Sequence, residues 1–312
     1  MIAGKPVSPV SKAVLWMAVA LLSFTAMAVA VRELAGAMHA FQILFIRSAI
    51  GVVIIVAVLH GTGWQQLGTQ RLAVHGLRNV VHFIGQVLWI FGIQLLPLVT
   101  VFAIEFTTPL WAAVLAVLFL GERMNRGRWV ALVCGFGGIL VILQPGYSDY
   151  DPALFIMIVC AVFFGLSVTF TKSLTRTDHA LTIMFFMTAL QTGFGLIASL
   201  FVWTPIAVWQ WPWLMVVAVT GLSAHYSMVR AFGHADATIV VPMDFLRLPL
   251  IALVGFLIYG EALDLATVVG ATLILSGIYY SLTRESRTSR AALATAGDDR
   301  NNGPPTTKGT GR

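Results

Sequence analysis

Charge is scarce in this sequence. Only 10% of its 312 residues are Asp, Glu, Lys or Arg, against roughly 25% in a soluble domain, so the chain has too little polar surface to face water. Cysteine is scarcer still: Cys134 and Cys160 both lie inside apolar runs, without the CxxC spacing of a metal or redox site, and read as buried, inert thiols. No GxxxxGK[ST] phosphate loop occurs, which argues against ATP as a driving force, and the apolar runs hold no HExxH or paired-aspartate motif. Gly165-Leu166-Ser167 lacks the remaining glycines of an intramembrane serine protease. No cofactor, no metal site and no enzymatic activity are therefore expected.

Apolar sequence fills the chain instead. Hydrophobic residues make up 58% of it and the mean hydropathy is +0.88. Runs of about 20 apolar residues, the length that crosses a bilayer, recur near 13–31, 38–59, 73–94, 98–120, 128–144, 153–171, 179–202, 212–232, 237–259 and 264–283. The expected fold is an all-α integral membrane protein of ten transmembrane helices. The first run has the look of a signal peptide, with Lys5 and Lys12 ahead of it and small-residue triplets near its end. Its apolar stretch is longer than a typical signal core and it has a counterpart at 153–171, so it is expected to be retained.

The net charge of +6 suggests nucleic acid until the basic residues are placed. With the N-terminus inside, Lys5, Lys12, Arg71, Arg78, Arg123, Arg126, Arg128, Lys172, Arg176, Arg230 and the basic residues of the tail all fall inside, and only Arg32 falls outside. This positive-inside bias predicts a multi-pass protein of the bacterial inner membrane, N-in and C-in, whose macromolecular surroundings are lipid and not nucleic acid. Trp203, Trp209, Trp211 and Trp213 then land at the outer interface, where indole prefers to sit. Residues 1–12 form a short cytoplasmic N-terminus, and residues 284–312, rich in Ser, Thr, Gly and charge, read as a disordered cytoplasmic tail.

The sequence also repeats itself. A shift of 139 positions lays Gly121-Glu122 on Gly260-Glu261, Gly138-Ile139 on Gly277-Ile278, and Glu105 on another carboxylate, Asp244. The halves are 13–144 and 153–283, joined by an external linker at 145–152. Each holds five helices, an odd number, so the second enters the membrane from the opposite side and the two are inverted repeats. Such halves support two related conformations open to opposite sides, the basis of alternating access in secondary carriers.

With these features the chain resembles the drug/metabolite transporter superfamily in its EamA-type branch. The likeness covers 13–283 and rests on Phe45-Ile46-Arg47, on Thr108-Pro109-Leu110 through Gly121-Glu122, and on Pro242 through Glu261. It implies a secondary active transporter of a small polar metabolite, with S-adenosylmethionine, riboflavin and amino acids as cargo candidates, protons as a candidate coupling ion, and a monomer or homodimer. A lipid- or peptide-directed membrane enzyme and a non-transporting scaffold are the alternatives.

Arg47, Glu105, Asp244 and Arg247 lie within the expected spans, where a charge costs roughly 2.5–3.5 kcal/mol at a helix centre. They are read as lining a central cavity, the arginines for an anionic group and the carboxylates for amines or protons. A purely structural pairing of Arg247 with Asp244 one turn away is the alternative. Arg78, His82 and Gln86 follow one another at four-residue steps on one face of the third helix; Arg78 suits the headgroup level, and His82 and Gln86 lie deeper. The repeat sets His225 opposite Gln86, with Tyr226 beside it. Trp89, Trp111 and Tyr259 are candidates for stacking on cargo, or for plain packing. Pro109, Pro242 and Pro249 are candidate gating kinks, and Glu122 and Glu261 read as loop anchors.

Overall fold

The computed structural model describes residues 9–120, 126–144, 151–174, 176–232, 234, 243–244 and 246–301; Pro242, Gly121-Glu122 and most of the 145–152 linker lie outside them. Within the described residues the chain is helical and has no strand: α1 Pro9–Glu33, α2 Ala40–Thr62, α3 Leu72–Leu95, α4 Leu98–Glu105, α5 Thr108–Leu120, α6 Arg126–Leu143, α7 Pro152–Leu174, α8 Ala180–Ser199, α9 Gln210–Phe232, α10 Arg247–Tyr259 and α11 Leu265–Asn301. A 3-10 turn, Trp64–Leu67, follows α2. Helix is what a bilayer demands, because lipid offers no partner to a free N–H or C=O. Five of the helices are each long and apolar enough to cross a membrane unaided.

The fourth expected span is broken in two. Pro109 has no N–H to give the Glu105 carbonyl, and its ring collides there; α4 stops at Glu105 and α5 starts at Thr108. The Thr107 hydroxyl covers part of the exposed backbone, donating to the Ile104 carbonyl at 2.6 Å. The ninth span breaks at the matching place. Met243-Asp244 is helical, Leu246 is a turn and α10 begins at Arg247, with Pro249 three residues beyond that turn. Glu105 and Asp244 therefore occupy equivalent helix ends.

Helix packing obeys the repeat. The largest pairs are α6 with α11, α1 with α9, α3 with α7 and α2 with α8; α5 packs on α7, and α4 on α10. Exchanging the halves turns α1–α9 into α7–α3 and returns α2–α8 and α6–α11 to themselves. The α6–α11 seam is a backbone contact: a Cβ on Gly138 would stand 2.5 Å from the Gly270 carbonyl oxygen, and one on Gly270 2.6 Å from that of Gly138. Close approach of this kind is how membrane helices associate without a hydrophobic drive. Outward faces carry exposed apolar side chains such as Leu15, Leu22, Val53, Leu118 and Leu257, a belt suited to lipid.

The last helix departs from expectation. It runs on to Asn301 instead of ending near 283; residues 284–296 hold four alanines among Arg, Glu and Ser, a composition with enough helix propensity to continue once a turn is in place.

Candidate functional site

Arg247, the first residue of α10, is the centre of the buried charge. One of its nitrogens, Nη2, reaches both Glu105 Oε1 and Asp244 Oδ2, each at 3.3 Å. Glu105 is held in turn by Trp89, whose indole N–H donates to Oε2 at 2.7 Å. The guanidinium lies over three phenylalanine rings, with its central carbon 4.6 Å from the Phe24 centroid, 4.9 Å from Phe106 and 5.1 Å from Phe102. These rings exclude water and favour a cation. With both carboxylates ionised, the group carries one negative charge in excess of its guanidinium, and Asp244 Oδ1 and Arg247 Nε have no partner among the described residues.

Phe24 joins this group to a second. Its edge meets the His225 ring at 5.5 Å, and His225 faces His82 across 6.3 Å. His225 Nδ1 is 2.8 Å from the Gly221 carbonyl oxygen, and Gly221 has no side chain because the Arg47 guanidinium passes there, 2.8 Å from where a Cβ would stand. His82 Nδ1 and Gln86 Oε1 are buried without partners. Arg47, His82, Gln86, Trp89, Glu105, His225, Asp244 and Arg247 thus form one polar strip through the interior, with side chains drawn from both repeats.

Other candidates lie elsewhere. Tyr226 is 40% exposed and faces Trp16 and Arg230 on the outside of the α1–α9 pair, its hydroxyl accepting from Arg230 Nη1 at 2.8 Å. It is no wall of the interior strip, since adjacent helical residues point about 100° apart. Trp111 packs on Phe136 of α6. Pro109 and Pro249 are exposed on the outward side of the breaks they cause.

Tyr259 belongs to a closure at one end of the bundle. Its hydroxyl donates to Glu33 Oε1 at 2.9 Å, and Arg32 lies over its ring. Arg32 pairs with Glu261 at 3.1 Å, and Glu261 Oε2 accepts from the Leu98 backbone N–H at 2.8 Å, capping α4. Glu261 is thus the loop anchor that its place after Gly260 suggested. Near the other end, Asp178 accepts from Thr69 at 2.7 Å and lies 2.6 Å from His75 Nε2. Burial pushes the Asp178 carboxyl up, but hydrogen bonds from Thr69, His75 and Thr177 prevail and hold it below its ordinary value.

A family model described as the EamA-like transporter family matches residues 11–144 and again 151–283. The chain belongs to that family. Its two EamA units are the two halves laid out by the 139-residue shift, and it is a multi-pass membrane protein. Among relatives, an S-adenosylmethionine uptake transporter of Rickettsia bellii is 25% identical over 87% of this chain and 94% of its own length. A riboflavin transporter of Rhizobium johnstonii is 34% identical over 69% and 72%, and a pseudopaline exporter of Pseudomonas aeruginosa is 28% identical over 84% and 93%. A crystal structure 16% identical covers 89% of this chain and 99% of that one with a TM-score of 0.63, a likeness of fold alone.

Several residues of this EamA protein's interior carry little or no signal in the sequence. Nothing about Phe24, Phe102 or Phe106 distinguishes them from lipid-facing phenylalanines before Arg247 is placed. Gln191, 2% exposed in α8 with its Nε2 unpartnered, did carry a signal: it is the one carboxamide in a 20-residue apolar helix.

Proposed function

We propose that this chain is a secondary active carrier that moves a small polar metabolite across the bacterial inner membrane by alternating access, coupled to protons at Glu105, Asp244 and Arg247. The supporting observation is that two carboxylates at repeat-equivalent helix breaks share a single nitrogen of one arginine. An excess negative charge in lipid is costly; a proton on either carboxylate removes it and frees Arg247 for the other. Protonation thus biases two alternative pairings of Arg247 with carboxylates at repeat-equivalent positions, which is what a carrier needs to couple a gradient to a change of shape.

The N-in, C-in orientation follows from the basic residues, and it sets the Arg32–Glu261 closure on the outer side. S-adenosylmethionine, riboflavin and amino acids are the cargo classes to test first, given what the relatives carry. Family and relatives alike are transporters, so the readings as an enzyme or a scaffold are set aside.

Reconstitution in liposomes with an imposed pH gradient tests this. Uptake of one of these cargoes should depend on the gradient, and Glu105→Gln with Asp244→Asn should abolish that dependence. Gradient-driven uptake whose pH dependence survives the double substitution refutes proton coupling at this site.

A further inference from the structure

Arg47 and Arg247 are both buried in this bundle, but their surroundings are opposite. Arg247 has two carboxylates and three aromatic rings. Arg47, 9% exposed in α2, has no carboxylate within 4 Å and no hydrogen-bond partner among the described residues. A void of about 10 Å³ opens beside it between α2, α8 and α9, the room of about one water molecule. Ser48 and Gln191 line the same void, 4% and 2% exposed, and the Gln191 amide nitrogen is an unpartnered donor. Gly51 also lines the void, and the bare Gly221 backbone lets Arg47 pass close by, 2.8 Å from where a Cβ would stand.

An unneutralised guanidinium, a free amide N–H and a hydroxyl, all buried and facing one small space, are the elements of an anion site. We infer that Arg47, Gln191 and Ser48 bind the carboxylate of the cargo. The arginine fork matches the two coplanar oxygens of a carboxylate, and a void with room for about one water takes one such oxygen but not the three of a phosphate. This rests on the carrier reading above and narrows it. The interior strip places this positive subsite on one side of Phe24 and the negatively charged Glu105–Asp244–Arg247 group on the other. Its cargo is a zwitterion, with the carboxylate at Arg47 and the cationic group toward Glu105 and Asp244. Neutral riboflavin fits this charge pattern poorly; an amino acid or an amino-acid-bearing sulfonium such as S-adenosylmethionine fits it.

The test is thermal unfolding of the purified full chain, at constant chloride, with matched probes: L-methionine against methioninamide, S-adenosylmethionine against its decarboxylated analogue, and FMN against riboflavin. L-methionine and S-adenosylmethionine should each bind about tenfold to a hundredfold more tightly than the neutralised match, the span expected for hydrogen bonds to a charged partner, and FMN no more tightly than riboflavin. Arg47→Gln should lose that preference. Gln191→Glu should lose it too, because the new carboxylate supplies Arg47 with an internal partner; this variant keeps the test decisive if Arg47→Gln does not fold. No preference for the acids, a preference only for FMN, the same stabilisation from added sodium chloride, or a preference surviving Gln191→Glu each overturns the subsite. Liposome flux of the same probes separates the two levels: flux without acid preference removes the subsite and leaves the carrier, whereas acid preference without flux removes the carrier.

Discussion

Glu261→Gln tests whether the closure at the Arg32 end is a gate. The Arg32–Glu261 pair is 3.1 Å apart with side chains 18% and 13% exposed. Coulomb's law at an effective dielectric of about 20 gives roughly 5 kcal/mol of raw attraction, and desolvation takes back a large part. A pair between the exposed and fully buried limits retains about 1.5–3 kcal/mol. Glutamine still accepts from the Leu98 N–H, and the Glu33–Tyr259 bond remains, so the fold should survive while the charge pairing is lost. If the pair holds this end shut, the open population rises by roughly tenfold to a hundredfold.

The assay is the reaction rate of Thr25→Cys, in a Cys134→Ser, Cys160→Ala background, with a membrane-impermeant thiol reagent. Thr25 is 7% exposed and about two turns below Arg32 on α1, so its cysteine should react only when that end opens. The rate should increase in proportion to the open population, and Arg32→Gln should add little on top of Glu261→Gln. A rate changed less than about twofold, with a lowered melting temperature, would show the pair to be structural only and refute the gate.

Two further outcomes are expected. Because the Asp178 carboxyl is held below its ordinary value of 3.8, its contribution to stability is fully present above that value and is lost as pH falls through the depressed one. Acid melting curves of wild type and Asp178→Asn should therefore converge below about pH 3.8, and curves that stay parallel would contradict the assignment. Gly138→Val drives a side chain into the Gly270 carbonyl and should destabilise by about 1–3 kcal/mol, whereas Gly193→Ala, with nothing within 4 Å of its Cβ, should stabilise by about 0.5–1 kcal/mol. Equal effects in a denaturation series would discount the seam.

Much of the fold was legible because lipid makes hydropathy nearly decisive: the spans, the halves and their register all follow from apolar runs and a few dipeptides. The breaks at Phe106-Thr107 and at Leu246 were only half legible. Pro109 and Pro249 announce a bend, but whether a helix bends or parts depends on what covers the freed carbonyls, here the Thr107 hydroxyl. In the site, Glu105, Asp244 and Arg247 stood out because charge is conspicuous in an apolar run. Tyr226 neighbours His225 in sequence but does not share its face, because adjacent helical residues point about 100° apart. The His75–Asp178 contact joins residues 103 positions apart, a pairing that no local pattern announces.

Exchange of the two halves preserves the helix pairings but not the chemistry of the ends. The position matching Arg32 is Thr171, whose hydroxyl lies 3.1 Å from Arg78 Nε and has no charge to offer Glu122. The twofold architecture therefore sets a cation at position 32 of one half against an uncharged threonine at the matching position 171 of the other, so the Arg32–Glu261 pair has no copy made by Thr171. In the carrier reading, opening the Arg32 mouth has to part an ion pair at this place, and Thr171 presents no such pair to part at the other.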